Sequence, residues 1–415
     1  MAALLTAADG IGCLAAARAL HARGIPVVAV GPPGSLAFAS RAVGRALIAP
    51  SSRSEPEAFA QFVLQAVGAH SVKLVIPFDD TSCVALDGLR QQLERTTRLA
   101  LPSAACLGVA LDKERLAQAA ARSGVLTPRT HVVRTLDEAR AAASSVGYPL
   151  VVKPRASALG REIPAHLRFK VRFVEGWPSL QNLLGPYLAE GRSLLLQEYC
   201  PGRLMNLDGF CADGKILALT QMRSGRTFER TGRLSLVREM VPLDPDLEEQ
   251  VARLLGDMGF DGLFNVQFLR GAQDGAWRLI DLNPRASIFL GTVVRAGVDT
   301  PYLAYAWYTG GQVVPVGSYR IGVRGRNLRM DVRHLVQSLR GEGCGIDPHC
   351  PNRRRALTDF LWEFLRADHY DAFALRDPLP SLTGPLGRGW RGGKRAARRF
   401  LGRLGLHPPL PSSVP

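Results

Sequence analysis

The sequence predicts a mixed α/β and α+β protein: a parallel α/β domain in front, a region of strands, helices and two hairpins behind it, and an irregular extension at the end. Three observations carry this expectation. Residues 1 to about 105 alternate short apolar runs with helical stretches, the pattern of strand–helix–strand units in a parallel sheet. Two later stretches, 204–223 and 263–285, read as strand pairs folded about glycine-containing turns. Past about residue 315 neither pattern continues. With 415 residues, 47% of them hydrophobic, the chain is long enough for two or three compact domains.

The elements follow in order. An apolar run at 2–8 ends in "DGIG"; a helical pattern, "CLAAARALHARG", and a second apolar run, "IPVVAVG", follow. The glycines of "DGIG" suit a tight strand-to-helix turn better than a nucleotide site. "KLVIPFDD" (73–80) reads as a buried strand ending in acids. "LDKERLAQAAARSG" is helical with Gly124 as its stop. "HVVRTLDEARAAASSVGYP" gives a strand and a helix, and "LVVKPRASALG" a strand running into a polar loop containing Gly160. "SLLLQEYCPG" is a strand closed by a Pro-Gly turn. A hairpin turned by "ADGK", the amphipathic helix "PDLEEQVARLLGDMG" and a hairpin turned by "GAQDG" come next. "LRMDVRHLVQSLRG" and "ALTDFLWEFLR" look helical, and the final basic, then Pro/Ser-rich stretch is expected to be loosely attached.

The formal net charge is +16, which suits an anionic partner such as a nucleotide, nucleic acid or acidic membrane. Residues 376–415 hold eight Lys/Arg against one acid, a net of +7 that leaves +9 for the rest. Seven scattered cysteines in a chain this large point to a reducing, cytoplasmic setting. The Cys344, His349, Cys350 cluster lacks a second pair, so a structural metal is not expected there. No apolar run has the length of a membrane span, and the first ten residues do not read as a secretory signal.

Chemistry concentrates in "WRLIDLNPRAS" (277–287). Alternation along a strand puts Asp281, Asn283 and Arg285 on one face. If the hairpin turns around 271–275, Gln267 lies opposite Leu279 and diagonal to Asp281, so Gln267, Asp281 and Asn283 share that face. Oxygen-only donors suit Mg²⁺ or Mn²⁺, and a single carboxylate makes sense if nucleotide phosphates complete the site. Lys113, at a helix start, and Lys153, at a strand end, are two of only six lysines.

"LDKERL", "YPLVVKP", "LQEYCPG" and "FNVQFL … RLIDLNPR", in this order, resemble the ATP-grasp ligase superfamily over about residues 1–310. The resemblance is nearest to its carbamoyl-phosphate-synthetase-like and predicted ATP-dependent carboligase members. It implies a Rossmann-like pre-ATP-grasp domain (1–108), a first ATP-grasp subdomain (109–195) and a second one with the metal hairpin (196–312). A helical extension (313–380) and a basic Pro-rich tail (381–415) follow. By that resemblance Lys113 and Lys153 contact ATP. Glu198, Tyr199 and Cys200 form the hinge against the adenine, and Asn206 or Asp208 stands near the ribose. Gln267, Asp281 and Asn283 hold Mg²⁺ (or Mn²⁺), and Arg285 stabilises the phosphoryl group in flight. Two features depart from the family: Asp281 stands where relatives commonly have Glu, and the 155–161 loop, a candidate lid, is poor in glycine. Among Arg223, Arg226, Arg230 and Arg233, the residue closing the strand, Arg223, is the expected phosphate or substrate contact. Ser287 and Arg295 are further candidates for the acceptor side.

The implied activity is ATP-dependent ligation of a small-molecule carboxylate to an amine through an acyl phosphate, releasing ADP and phosphate. Bicarbonate activation, of the carboxylase or carbamoyl-phosphate type, is the alternative within enzymes. A catalytically silent nucleotide- or nucleic-acid-binding protein is the alternative outside them. Nucleic acid is disfavoured because the tail offers only Trp390 and Phe400 for stacking. "KRAARRFLGRLGL" (394–406) suits peripheral contact with an anionic membrane, and the superfamily often forms homodimers.

Overall fold

The computed structural model describes residues 1–155, 169, 171–228, 234–340 and 353–383. Five strands, β1 (Ala2–Leu5), β2 (Val27–Gly31), β3 (Arg45–Ile48), β4 (Val72–Ile76) and β5 (Arg98–Leu99), form an all-parallel sheet in the order β3-β2-β1-β4-β5. Its central strands are buried on both faces, which is why they read as unbroken apolar runs. Helix α1 (Ile11–Ala22) covers one face, meeting Ala3, Leu5 and Ile76. Helices α2 (Pro56–Ala69) and α3 (Asp80–Asp87) cover the other, meeting Leu4, Val30 and Val75.

The "DGIG" glycines serve packing. A Cβ on Gly12 would stand 2.9 Å from the Ser287 carbonyl oxygen, so the missing side chain lets the 287–288 backbone lie against the start of α1.

A short helix, α4 (Arg90–Leu93), precedes β5; α5 (Ala104–Leu111) and α6 (Lys113–Arg122) then lead out of the domain. Asp112 caps α6 through the backbone N–H groups of Glu114 and Arg115. Next come β6 (Thr130–Val133), α7 (Leu136–Val146), β7 (Leu150–Pro154), β8 (Arg172–Val174), α8 (Trp177–Ala189) and β9 (Leu194–Glu198). The four strands form an antiparallel sheet in the order β6-β9-β7-β8, closed over its own core of Val133, Leu150, Leu180, Leu184, Leu194 and Leu196.

The third sheet has seven strands: β10 (Gly202–Ala212), β11 (Lys215–Phe228), β12 (Leu234–Val241), β13 (Gly262–Gly271), β14 (Trp277–Asn283), β15 (Arg324–Arg326) and β16 (His369–Tyr370). Their order is β14-β13-β10-β11-β12-β15-β16. The "ADGK" turn is as expected, with Asp213 and Gly214 both at positive φ in a two-residue hairpin loop. On one face Leu207, Val266 and Leu282 pack on α9 (Pro245–Asp257) and on Cys106, Ala110 and Leu116 of α5 and α6. On the other, Phe210, Met222 and Met240 share a core with α1, α10 (Leu290–Arg295) and α11 (Thr300–Tyr308).

Two boundaries differ from the expectation. Residue 108 falls inside α5, and the α5–α6 pair packs under the seven-stranded sheet, because its apolar faces match the open face of β13 and β14. The extension past 313 also holds strands: β15 and β16 lengthen the seven-stranded sheet, and α12 (Leu328–Arg340) and α13 (Arg353–Arg366) pack beside it. "RGR" and "HY" lack the apolar alternation that marks a strand. No helix among the described residues is long and apolar enough to cross a membrane. The five described cysteines, Cys13, Cys83, Cys106, Cys200 and Cys211, are free. The 344–350 cluster, Gly160, Arg230, Arg233 and the tail lie outside the described residues.

Candidate active site

The face of the seven-stranded sheet that meets the front domain is apolar at Phe210 and Leu263 and polar farther along. There Asn206 pairs with Gln267 and Gln267 with Asp281; in the next row Asp208 pairs with Asn265 and Asn265 with Asn283. Directly opposed residues share a face, so six polar side chains lie side by side across three strands. The register corrects one expectation: Gln267 stands opposite Asp281, not Leu279. A β-bulge between Gln267 and Phe268 inserts one residue on β14.

Hydrogen bonds orient the amides. Gln267 Nε2 donates to Asn206 Oδ1 at 2.9 Å, and Asn283 Nδ2 donates to Asn265 Oδ1 at 3.1 Å. With both nitrogens engaged, the Gln267 and Asn283 oxygens are left for a cation or a donor. For Asn283 that donor is Arg285, whose Nη2 donates to Oδ1 at 3.3 Å and leaves the second lone pair of this oxygen open.

Lys113, the first residue of α6, reaches Asp281 Oδ1 at 2.7 Å. Lys153, at the end of β7, is buried and donates to Gln197 Oε1 at 2.8 Å; Gln197 is fixed in turn by Thr130. Burial, then the Lys113 charge, lowers the Lys153 ammonium to about 8, against the attraction of Asp281. Burial alone would raise the Asp281 carboxyl, but Lys113, Lys153 and Arg285 hold it below the ordinary carboxylate range. Two ammonium groups beside one carboxylate leave an excess of positive charge suited to a polyanion.

Arg285 joins this group through the front domain, its Nε donating to Asp80 Oδ1 at 2.7 Å. Asp80 opens α3 just past β4, at the carboxyl edge of the parallel sheet. Asp208 is buried, which raises its carboxyl to about 6 against the neighbouring Ser287 and Asn265. Ser287 is buried as well, and its hydroxyl accepts from the Phe289 N–H. Arg295 is exposed on the last turn of α10.

Between the two sheets, where β9 runs into β10, burial would raise Glu198, but Arg129 at 2.6 Å and the Cys200 thiol lower it. Tyr199 stands edge-on to Phe173, and burial and Glu198 push the Cys200 thiol up to about 12. Arg223 is not brought to the cluster. It pairs with Met205, hence faces the other side of the sheet, and is bound to Glu239 at 2.8 Å. Arg226 is bound to Asp331.

Asn265, Asp80 and Gln197 were not singled out by the sequence. Asn265 stands two residues before Gln267, the same spacing that marked Asp281 and Asn283. Asp80 was visible only as an acid closing a strand, and nothing in "FDD" says what it meets.

Among the described residues no three His, Cys, Asp or Glu side chains gather as a metal site. A divalent cation here would rest on Asp281 and the amide oxygens of Gln267 and Asn283, a hard-oxygen set fit for Mg²⁺ only with phosphate and water as further ligands. The buried Nδ2 atoms of Asn206 and Asn265, without protein partners, leave donors toward such a ligand.

A parallel front domain, a small antiparallel sheet and a larger, mostly antiparallel sheet carrying this polar face make up the ATP-grasp fold, which the chain shares with the solved structures below. Residues 190–328 match the family model described as "ATP-grasp in the biosynthetic pathway with Ter operon". In sequence the chain is similar to the carbamoyl phosphate synthase large chain of Vibrio vulnificus, 29% identical over 182 residues, 42% of this chain and 16% of that protein. The Pseudomonas putida counterpart is 31% identical over 187 residues, again 42% and 16%. The match thus spans about a sixth of the length of these relatives.

Among solved structures, biotin carboxylase from Campylobacter jejuni has a TM-score of 0.62 at 16% identity, covering 78% of this chain and 74% of that one. N5-carboxyaminoimidazole synthetase from Staphylococcus aureus has 0.60 at 14% identity, covering 84% and 86%. At these identities the likeness is one of fold.

Proposed function

We propose that the chain is an ATP-dependent carboxylate–amine ligase, ADP-forming and working through an acyl phosphate. The observation that carries this reading is the grouping of Lys113, Lys153, Asp281, Gln267 and Asn283 from the four-stranded and seven-stranded sheets and the start of α6. A carboxylate oxygen of the first substrate attacks the γ-phosphorus of ATP, and the bond to ADP breaks. The amine then attacks the acyl carbon, phosphate leaves, and the amine gives up a proton.

No side chain serves as nucleophile. The protein contributes position and charge. Lys153 and Lys113 meet the phosphates; Arg285, held by Asp80, faces the transferring group. Glu198, Tyr199 and Cys200 line the base, and Asn206 and Asp208 lie toward the sugar. Magnesium bound at Gln267, Asp281 and Asn283 would neutralise phosphate charge. The chain would work in a reducing compartment on small-molecule acids and amines, as a homodimer, with its basic tail contacting an anionic membrane. Bicarbonate as the activated acid is the second reading, favoured by the similarity to carbamoyl phosphate synthase large chains.

The test is ADP release from Mg·ATP against a panel of amino acids, small carboxylates, bicarbonate and amines, with Asp281→Ala alongside. Release that needs both an acid and an amine, and drops at least 100-fold in the variant, supports the ligase. Release with bicarbonate alone selects the second reading. Nucleotide binding without turnover across the panel would count against both.

A further inference from the structure

The helix pair α12–α13 presents an apolar and cationic outer surface that neither the fold nor the proposed reaction uses. We infer that this surface docks onto an anionic lipid membrane.

Two of the three acids of these helices are turned inward; the third, Asp359 of α13, is part-exposed and lies 3.8 Å from Arg355. Asp331 of α12 is buried and accepts from Arg226 and Arg326 of the sheet; Glu363 of α13 is buried and accepts from Arg324 at 2.8 Å. Arg326 also lies over the Phe360 and Phe364 rings, at 4.4 and 4.3 Å. These contacts fix which sides face out.

The outward sides are apolar at helical spacing. On α12 they hold Val332, Val336 and Leu339, at 43, 40 and 41% exposure; on α13, Leu361, Trp362 and Leu365, at 54, 57 and 78%. Steps of three and four residues put each set on one stripe. The same helices expose Arg333, Arg340, Arg353, Arg354 and Arg366.

Charge selects the occupant. Two copies of this chain meeting face to face would oppose arginine with arginine. Nucleic acid would meet the arginines but leave an aliphatic stripe in water. An anionic bilayer accepts both: leucine and valine enter the acyl boundary, tryptophan sits at the headgroup level, and arginine meets the lipid phosphates. Residues 376–415, farther along the sequence, carry a net of +7, the same sign of charge.

The test is co-sedimentation of the full chain with vesicles of phosphatidylcholine alone and with 30 mol% phosphatidylglycerol. Wild type should bind the anionic vesicles at least tenfold more tightly. Leu361→Glu with Leu365→Glu should lower that binding at least tenfold. Both side chains are exposed, so the melting temperature should not change. Arg353→Glu with Arg354→Glu should act in the same direction, and a chain ending at 383 should keep the helix-dependent part. Three results would overturn the inference: no binding of wild type to anionic vesicles; binding lost with the tail yet untouched by the helix variants; or a dimer in light scattering that the Leu361/Leu365 variant abolishes while vesicle binding persists.

Discussion

Lys153 lies buried near the end of β7 with a second ammonium, that of Lys113, close by, and its pKa falls from 10.5 to about 8. The unfolded chain therefore binds more protons between those values, and protein stability rises with pH across that window. Nucleotide affinity runs the other way. Phosphate favours the charged form, so affinity should be full below pH 8 and decline as pH rises through it, by up to tenfold per unit in the limit. Calorimetric titration with ADP from pH 7 to 9.5 checks this, and an unchanged affinity would remove Lys153 from the phosphate site. Lys113→Met should weaken nucleotide binding for the same electrostatic reason. It should also let the Asp281 carboxyl rise toward its ordinary range, since Lys113 is the main group holding it down.

At the scale of elements, the bulge on β14 decides the site. Had the register of 268–270 continued without the bulge, Gln267 would face Ile280, and the amide would lose Asp281 as its neighbour. The close approach at Gly12 fixes the segment after the hairpin. Gly12→Ala should cost about 1–3 kcal/mol, the usual range for overpacking, read by chemical denaturation. Helix α12 is held by one acid. Asp331→Ala would leave the fully buried Arg326 unpaired and should cost about 3–5 kcal/mol, again by denaturation. A loss below about 1 kcal/mol would show that Arg326 finds another partner.

Across the whole molecule, the front domain and the seven-stranded sheet share one core, whereas the four-stranded sheet closes over its own. The C-terminal segment reinforces the first body. Asp371 binds the buried Arg238, and Asp377 binds Arg18, Ser40 and the Arg41 N–H. The small lobe is tied to that body by polar contacts such as Arg155 to Asp112 at 2.9 Å. A nucleotide bound to Lys153 on one lobe and Asp281 on the other would bridge them. Saturation at about 100 times Kd should stabilise the chain by about 2.7 kcal/mol, seen as a rise in melting temperature. That rise should vanish with Asp281→Ala if the bridge passes through this carboxylate.

Periodicity along a single strand was enough to place Asp281 and Asn283 on one face, to find the two hairpins and the front parallel domain, and to set Lys113 at a helix start; Gln267 joins that face through a bulge that periodicity does not show. Those features are local, fixed by alternation, caps and turn residues within a few positions of one another. Tertiary structure alone decided the rest. Asp80 meets Arg285 from 205 residues away, Arg223 faces the wrong side of its sheet, and "RGR" and "HY" become strands only because an edge is there to receive them. The depressed Lys153 pKa likewise depends on a lysine, an acid and a burial supplied by separate elements. A single chain records its own period; it does not record which distant charge the fold will bring to it.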